Sequence, residues 1–226
     1  MAIFYIIATP IGNLGDITLR ALQILKEVDF ILCEDTRVTR KLLNFYNIDT
    51  PTLSYHQHSK FKKIKYILSL LQEGRNLALV SDAGTPGISD PGNELISEAI
   101  KQCSNFKIVP VPGPSAVTCI ASISQFPMNR FLFLGFPPTK RKRKKFFKEV
   151  IESKYPVIFY ESPYRIIKTL KELKLEAKTY GLKPGIIVCR ELTKKFETIY
   201  RGEVSEVIQK IEEDKIKGEF VIIVGR

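Results

Sequence analysis

The chain has no tryptophan, two methionines, two histidines and four cysteines. With so few histidines, and with Cys33, Cys103, Cys119 and Cys189 scattered without a C-x-x-C pair, neither a zinc centre nor a disulfide framework is expected. Cysteines spaced in this way act as small buried hydrophobes. Long hydrophobic runs are missing as well. The longest near the start, Ile3–Ala8, is far below the ~20 residues that cross a bilayer. No basic flank precedes it, as a signal peptide would require. A soluble, cytoplasmic protein with no metal site and no membrane partner is therefore expected.

Acidic residues are also too few to balance the basic ones, but only in one half. Lysine and arginine total 35 against 24 acids, a net charge of +11. Residues 1–115 carry 12 basic and 11 acidic side chains, whereas residues 116–226 carry 23 and 13. Such asymmetry points to an acidic partner docking on the second half. Its centre is Lys140-Arg141-Lys142-Arg143-Lys144-Lys145, followed by Phe146 and Phe147. Six adjacent cations form either a solvated helix face or a phosphate-binding surface, and the two aromatics either stack on bases or pack inward. The stretch lacks the broad apolar face of a membrane-surface helix, which favours nucleic acid.

At 226 residues, with 44% hydrophobic and 26% charged side chains, the chain is globular rather than disordered and long enough for two lobes. In the first half, short β-rich runs at 3–8, 30–33, 52–55, 77–80 and 107–111 alternate with helical patterns. One helix is expected from about Thr18, marked by Leu19, Leu22, Leu25 and Val28; another spans Thr36–Tyr46. Asp90-Pro91 supplies a cap and first-turn proline for a third, carrying Leu95, Ile96, Ala99 and Ile100. This alternation predicts an α/β fold with a largely parallel sheet covered on both faces. A boundary is expected near 116–127, after Pro112-Gly113-Pro114, giving domains 1–117 and 118–226. The second begins with the apolar segment Phe131–Phe136 and the basic helix. Strands follow at 157–160 and 186–190, a helix at 165–173, a hairpin toward 198–201, and a final helix and strand at 204–211 and 220–224.

Three strand-end loops have a composition suited to ligand binding. Ala8–Asp16 is glycine-bearing but is not a G-x-G-x-x-G fingerprint. Ser81–Gly92 holds three glycines, two prolines and the carboxylates Asp82 and Asp90; with no lysine it is not a P-loop. Asp90 reads as a helix cap, and Asp82, at a strand end, as the better ligand contact. In the third, Pro110–Ala116, Ser115 opens a helix whose backbone can donate hydrogen bonds. Together they describe a pocket for a small ligand with ribose hydroxyls and positive charge, the character of S-adenosylmethionine.

The run Ala8–Ile17, then Glu34-Asp35-Thr36-Arg37, Ser81–Gly92, Pro112–Ala116 and Glu161-Ser162-Pro163-Tyr164-Arg165, in this order and spacing, resembles the tetrapyrrole methylase superfamily. Within it, the chain is similar to the members that 2′-O-methylate a cytidine in the decoding region of small-subunit ribosomal RNA. The resemblance implies two α/β lobes, a homodimer, and S-adenosylmethionine in a cleft between the lobes. By that likeness Pro10, Ile11, Gly12, Asp82, Ala83, Gly84, Thr85, Ile88, Ser115 and Ala116 line the cofactor cleft, with the strand end Phe159-Tyr160-Glu161 approaching it. Porphyrin-type members begin with a richer G-x-G-x-G loop, from which Thr9-Pro10-Ile11-Gly12-Asn13 departs. Lys140, Arg141, Lys142, Arg143, Lys144 and Lys145, with His56 and His58, are the expected RNA contacts.

A sulfonium already activates its methyl group, so the protein must chiefly align donor and hydroxyl and exclude water. A weakly nucleophilic 2′-hydroxyl gains from a base or cation beside it. Asp35, Arg37, Glu161 and Arg165 are candidates, and the base stays open among them; an Asp35–Arg37 ion pair and a capping role for Glu161 are the structural alternatives. Two other functions compete: C-methylation of a porphyrinoid, which would not require the basic half, and RNA-binding assembly without catalysis.

Overall fold

The protein is described here by a computed structural model covering residues 1–55, 61–90 and 92–225. The chain divides into two compact units, Met1–Ser115 and Ala116–Arg226, each α/β.

The first unit runs β1 (Ala2–Ile7), α1 (Leu19–Glu27), β2 (Phe30–Cys33), α2 (Thr36–Phe45), β3 (Thr52–Ser54), α3 (Phe61–Gln72), β4 (Leu77–Val80), α4 (Gly92–Gln102) and β5 (Phe106–Val111). The strands form one parallel sheet in the order β3-β2-β4-β1-β5. A parallel sheet buried on both faces needs near-continuous apolar strands, and β4, Leu-Ala-Leu-Val, is buried along its length. Leu32, Leu77 and Leu79 pack with α3 and α4 on one face; Ile7, Ile31 and Val80 pack with α1 and α2 on the other.

Helix α1 starts where expected, the Thr18 hydroxyl accepting the Ala21 N–H at 3.1 Å. Its buried stripe differs from the expected one. Ala21, Ile24 and Leu25 face the core, and Leu19 is 85% exposed. A strict three-residue repeat falls behind the 3.6-residue turn and walks off the face; 21, 24, 25 and 28 stay on it.

The second unit runs α5 (Ala116–Ser122), β6 (Leu132–Phe133), α6 (Arg143–Glu152), β7 (Val157–Glu161), α7 (Ile166–Thr179), β8 (Gly185–Arg190), β9 (Thr198–Glu203), α8 (Val204–Glu213) and β10 (Phe220–Gly225). Its sheet has the order β6-β7-β10-β8-β9. Only β6 and β7 are parallel; β10 enters antiparallel between β7 and β8, and β8–β9 is the expected hairpin. Of the apolar segment Phe131–Phe136, Leu132 and Phe133 form the strand, and Leu134 and Gly135 still bond to the backbone of Ile158 and Tyr160.

The two-residue alternation of β7 sorts its side chains. Val157 and Phe159 enter a core with α6, α7 and α8, while Ile158 and Tyr160 join α5 on the opposite face. Phe146 and Phe147 pack inward, Phe146 meeting Phe147 and Phe159 edge to face with centroids 5.4 and 5.6 Å apart. Cys33, Cys103 and Cys189 are buried thiols, and Cys119 is half-buried.

Phe147 fills the centre of this layer. Replacing it with alanine should cost about 3–5 kcal/mol, read as a lower urea midpoint with an unchanged m-value.

Candidate functional site

In the first unit the sheet order itself makes a crevice. Neighbouring strands β1 and β4 send their crossover helices to opposite faces, α1 to one and α4 to the other. The loops leaving their carboxyl ends therefore diverge, the arrangement at which open α/β sheets bind ligands. Residues 8–16 and 81–90 are those two loops.

Short bonds fix them to each other. The Thr9 N–H donates to Gly84 O at 2.9 Å, and the Gly84 N–H returns to Thr9 O at 3.0 Å. The Thr9 hydroxyl donates to Ser81 O at 3.0 Å. The third loop is tied in by the Thr85 hydroxyl, which donates to Pro114 O at 3.2 Å. Gly84 has a φ of +82°, and a Cβ there would lie 3.3 Å from the Ile11 side chain. At Gly113 a Cβ would lie 3.0 Å from that of Ala8. Glycine is needed at both positions, one for its backbone angle and one for close approach.

Ile11 is thus buried against Gly84, while Gly12, Asp82, Ala83 and Ile88 are exposed along the same edge. Asp90 caps its loop, with Oδ1 accepting the Gly87 N–H at 2.7 Å and the Gly92 N–H at 2.8 Å. Asp82 Oδ1 accepts the Asp35 N–H at 3.0 Å, joining the end of β4 to the end of β2.

The catalytic candidates here are rearranged. Asp35 caps α2 and holds Arg37 in a two-pronged ion pair, Nη2 to Oδ2 at 2.6 Å and Nε to Oδ1 at 3.0 Å. The hydrogen bond from Arg37 lowers the Asp35 pKa to about 2, leaving a poor proton acceptor. Its neighbour Glu34 is the group that sequence reasoning passed over. Partial burial, and then the charges of Asp90 and Asp82, raise its pKa to about 7. The available signal was its place immediately after β2, on the edge where the other loops meet.

Three carboxylates around a half-buried site create negative potential that a cation relieves. Among the described residues, no group of three or more metal-binding side chains is arranged to hold an ion. The exposed backbone at Gly12 and the Asp82 carboxylate fit instead a nucleoside carrying ammonium and sulfonium charge. Ser115 ends the first unit and Ala116 opens α5.

In the second unit, Glu161 ends β7 at 1% exposure. Its Oε1 pairs with the Arg165 guanidinium at 2.7 Å and accepts the Ser162 N–H at 2.7 Å. Its Oε2 accepts the Thr169 hydroxyl at 2.6 Å. Both Glu161 oxygens are thus engaged in a buried network. The Phe159 ring lies in the core beside Phe146, while Tyr160 points to the other face.

The network continues into the basic run. Arg143, 7% exposed, donates to Thr169 Oγ1 at 2.8 Å, to Glu172 Oε2 at 2.7 Å and to Pro138 O at 2.8 Å. It is a buried anchor, so the run presents five outward cations rather than six. Lys140, Arg141, Lys142, Lys144 and Lys145 are exposed, and none forms an ion pair among the described residues. They crowd the amino end of α6, where the helix dipole disfavours positive charge and no acid occupies the first turn. That arrangement costs stability and suits an anionic partner. His56 and His58 lie outside the described residues.

The family model for Tetrapyrrole (Corrin/Porphyrin) Methylases matches residues 4–208. The chain belongs to the tetrapyrrole methylase family. It is a methyltransferase whose methyl donor is S-adenosylmethionine. It is 47% identical over 223 residues to the ribosomal RNA small subunit methyltransferase I of Mycoplasmopsis pulmonis, covering 99% of this chain and 97% of that one. The protein of the same name from Thermotoga maritima is 43% identical over 220 residues, covering 97% and 96%. Among solved structures, a cobalt precorrin-4 methyltransferase of cobalamin biosynthesis shares the fold, with a TM-score of 0.72, 17% identity, and 99% and 94% coverage. A uroporphyrin-III-C-methyltransferase from Thermus thermophilus gives a TM-score of 0.67 at 15% identity, covering 99% and 94%. No helix among the described residues is long and apolar enough to cross a membrane.

Removing Arg143 leaves Thr169 and Glu172 without their shared partner. Arg143→Ala should therefore destabilise the chain by about 1–3 kcal/mol, whereas Lys144→Ala should stay within about 0.5 kcal/mol of wild type. Urea unfolding of the two variants side by side checks the division of the run into anchor and surface.

Proposed function

We propose that the chain transfers a methyl group to small-subunit ribosomal RNA, at the 2′-hydroxyl of a cytidine in the decoding region. What carries this is the 43–47% identity, along almost the whole chain, to proteins named for methylation of that RNA. Five unpaired cations on one exposed run support a polyphosphate partner. The porphyrinoid enzymes at 15–17% identity share the fold alone. The substrate is taken to be RNA within an assembled subunit, and the working form a cytoplasmic homodimer.

S-adenosylmethionine, when bound, supplies a methyl carbon on a positively charged sulfur. The first-unit loops would hold it: the Thr9–Gly84 bonds set the backbone at the strand ends, and Asp82 would offset its positive charge. Glu34 accepts the proton of the ribose hydroxyl. The donor would supply the methyl group that this oxygen takes up, its sulfur leaving as a neutral thioether. Asp35, protonated only near pH 2, stays charged beside Arg37 and holds the start of α2, so the loop bearing Glu34 keeps its position.

The sign of the pH dependence follows from Glu34. Its pKa is raised to about 7, so the base form fills as pH rises through that value. The kcat/KM measured at subsaturating donor should climb through about pH 7 and level above it. Glu34→Gln should lower the rate about 10²- to 10⁴-fold, the usual contribution of a general base, with donor binding by calorimetry retained. Full activity in that variant would remove Glu34 from proton transfer.

Substrate and reaction are tested together with labelled donor and small ribosomal subunits from cells lacking the gene. A 2′-O-methylcytidine located in the decoding region by mass spectrometry is the expected product. Donor binding without transfer to RNA would favour a porphyrinoid substrate, and no donor binding would favour a non-catalytic assembly role. Alanine in place of Lys140, Arg141, Lys142, Lys144 and Lys145 should flatten the salt dependence of RNA binding. Each lost phosphate contact should reduce the slope by about 0.7–0.9.

A further inference from the structure

Two large aromatic side chains stand in water beside the cationic run. Tyr164 is 96% exposed and Phe136 52% exposed. Single exposed apolar groups are ordinary on loops, but the chain that follows Phe136 is tied down at two points. Phe136 is followed by Pro137 and Pro138, whose only backbone hydrogen-bonding groups are carbonyls. Each carbonyl is bound by a different guanidinium: Arg165 Nη1 donates to Pro137 O at 3.2 Å, and Arg143 Nη1 to Pro138 O at 2.8 Å. Both arginines are tied to Glu161, Arg165 directly at 2.7 Å and Arg143 through the Thr169 hydroxyl.

The Phe136 ring rests on Tyr160, with centroids 5.3 Å apart and planes inclined at 58°. Tyr164 immediately precedes Arg165, so one arginine links the two aromatic positions. The chain beyond Pro138 leads directly into Lys140, Arg141 and Lys142. The two aromatic positions and the start of the cationic run are therefore linked through the same buried anchor within the second unit.

We propose that Phe136 and Tyr164 form a stacking platform for unpaired bases of the RNA substrate, with the cationic run holding the backbone that carries them. Every base offers a π-face to an aromatic ring, and a positive groove follows the phosphates of a single strand. A duplex hides those faces within its own stack, so the platform selects unpaired segments. An anionic membrane surface is the less suitable partner, because the apolar face of α6 (Phe146, Phe147, Val150 and Ile151) is buried in the core and cannot insert into lipid. This inference rests on the ribosomal RNA reading above.

The test is fluorescence anisotropy of the full chain with a labelled unpaired oligoribonucleotide and with the same strand in a duplex. Phe136→Ala and Tyr164→Ala should each weaken unpaired-strand binding about 5- to 150-fold. Duplex affinity and the salt slope should stay unchanged. Tryptophan at either position should preserve binding. Phe136→Leu retains an apolar contact with Tyr160 and should still lose affinity, which separates stacking from folding. Wild-type affinity in both alanine variants, or an equal loss on duplex, would overturn the platform and leave the RNA reading intact. Failure of the wild-type chain to bind any RNA would remove both. Capture by anionic phospholipid vesicles that the alanine variants abolish, with RNA binding untouched, would assign the aromatics to a membrane surface instead.

Discussion

A buried carboxylate costs several kcal/mol unless its charge and its lone pairs are matched, and Glu161 at the end of β7 imposes that requirement on the second unit. Its partners come from separate elements: Ser162 from its own turn, and Arg165 and Thr169 from the start of α7. Thr169 in turn receives Arg143 from α6. The same arginines then bind the carbonyls of Pro137 and Pro138. One acid thus orders the turn after β7, the entry of α6 and the approach to the cationic run. Five like charges at a helix amino terminus are carried by this anchor, which offsets an arrangement that the helix dipole opposes.

The first unit solves a complementary problem. Its loops must present backbone and carboxylates at the sheet's edge without losing their shape. Reciprocal bonds between Thr9 and Gly84 provide this, and Gly113 lets the third loop lie against Ala8. Negative charge is divided by environment. Asp35, paired with Arg37, stays acidic, and Glu34, half-buried near Asp82 and Asp90, holds its proton to about pH 7. Two adjacent carboxyls of one tetrapeptide are thereby given different chemistry, as acid–base sites require.

Much of the fold was legible because the hydrophobic pattern is local. Buried parallel strands read as short apolar runs, and Thr18 and Asp90 mark helix starts through the bonds they make in the structure. One error was local: Leu19 looked like a core residue and faces solvent, because a three-residue repeat drifts off the helix face. The others arose where neighbours in space are distant in sequence. The antiparallel insertion of β10 joins residues 157–161 to 220–224, a pairing that no local repeat encodes. Arg143 looked like its five cationic neighbours, and only the arrival of Thr169 and Glu172 from α7 turns it inward. Glu34 was passed over beside Asp35, and only partial burial and then the charges of Asp90 and Asp82 set it apart.

The sequence by itself determined the α/β class, the family, the concentration of positive charge in the second half and the loops suited to a nucleoside donor. These depend on residue type and on spacing along the chain. Tertiary structure decided which cation is an anchor, which acid retains a proton, and which face of β7 Phe159 and Tyr160 occupy. Those properties depend on desolvation and on the distance between charges, and both are set only when separate elements pack together.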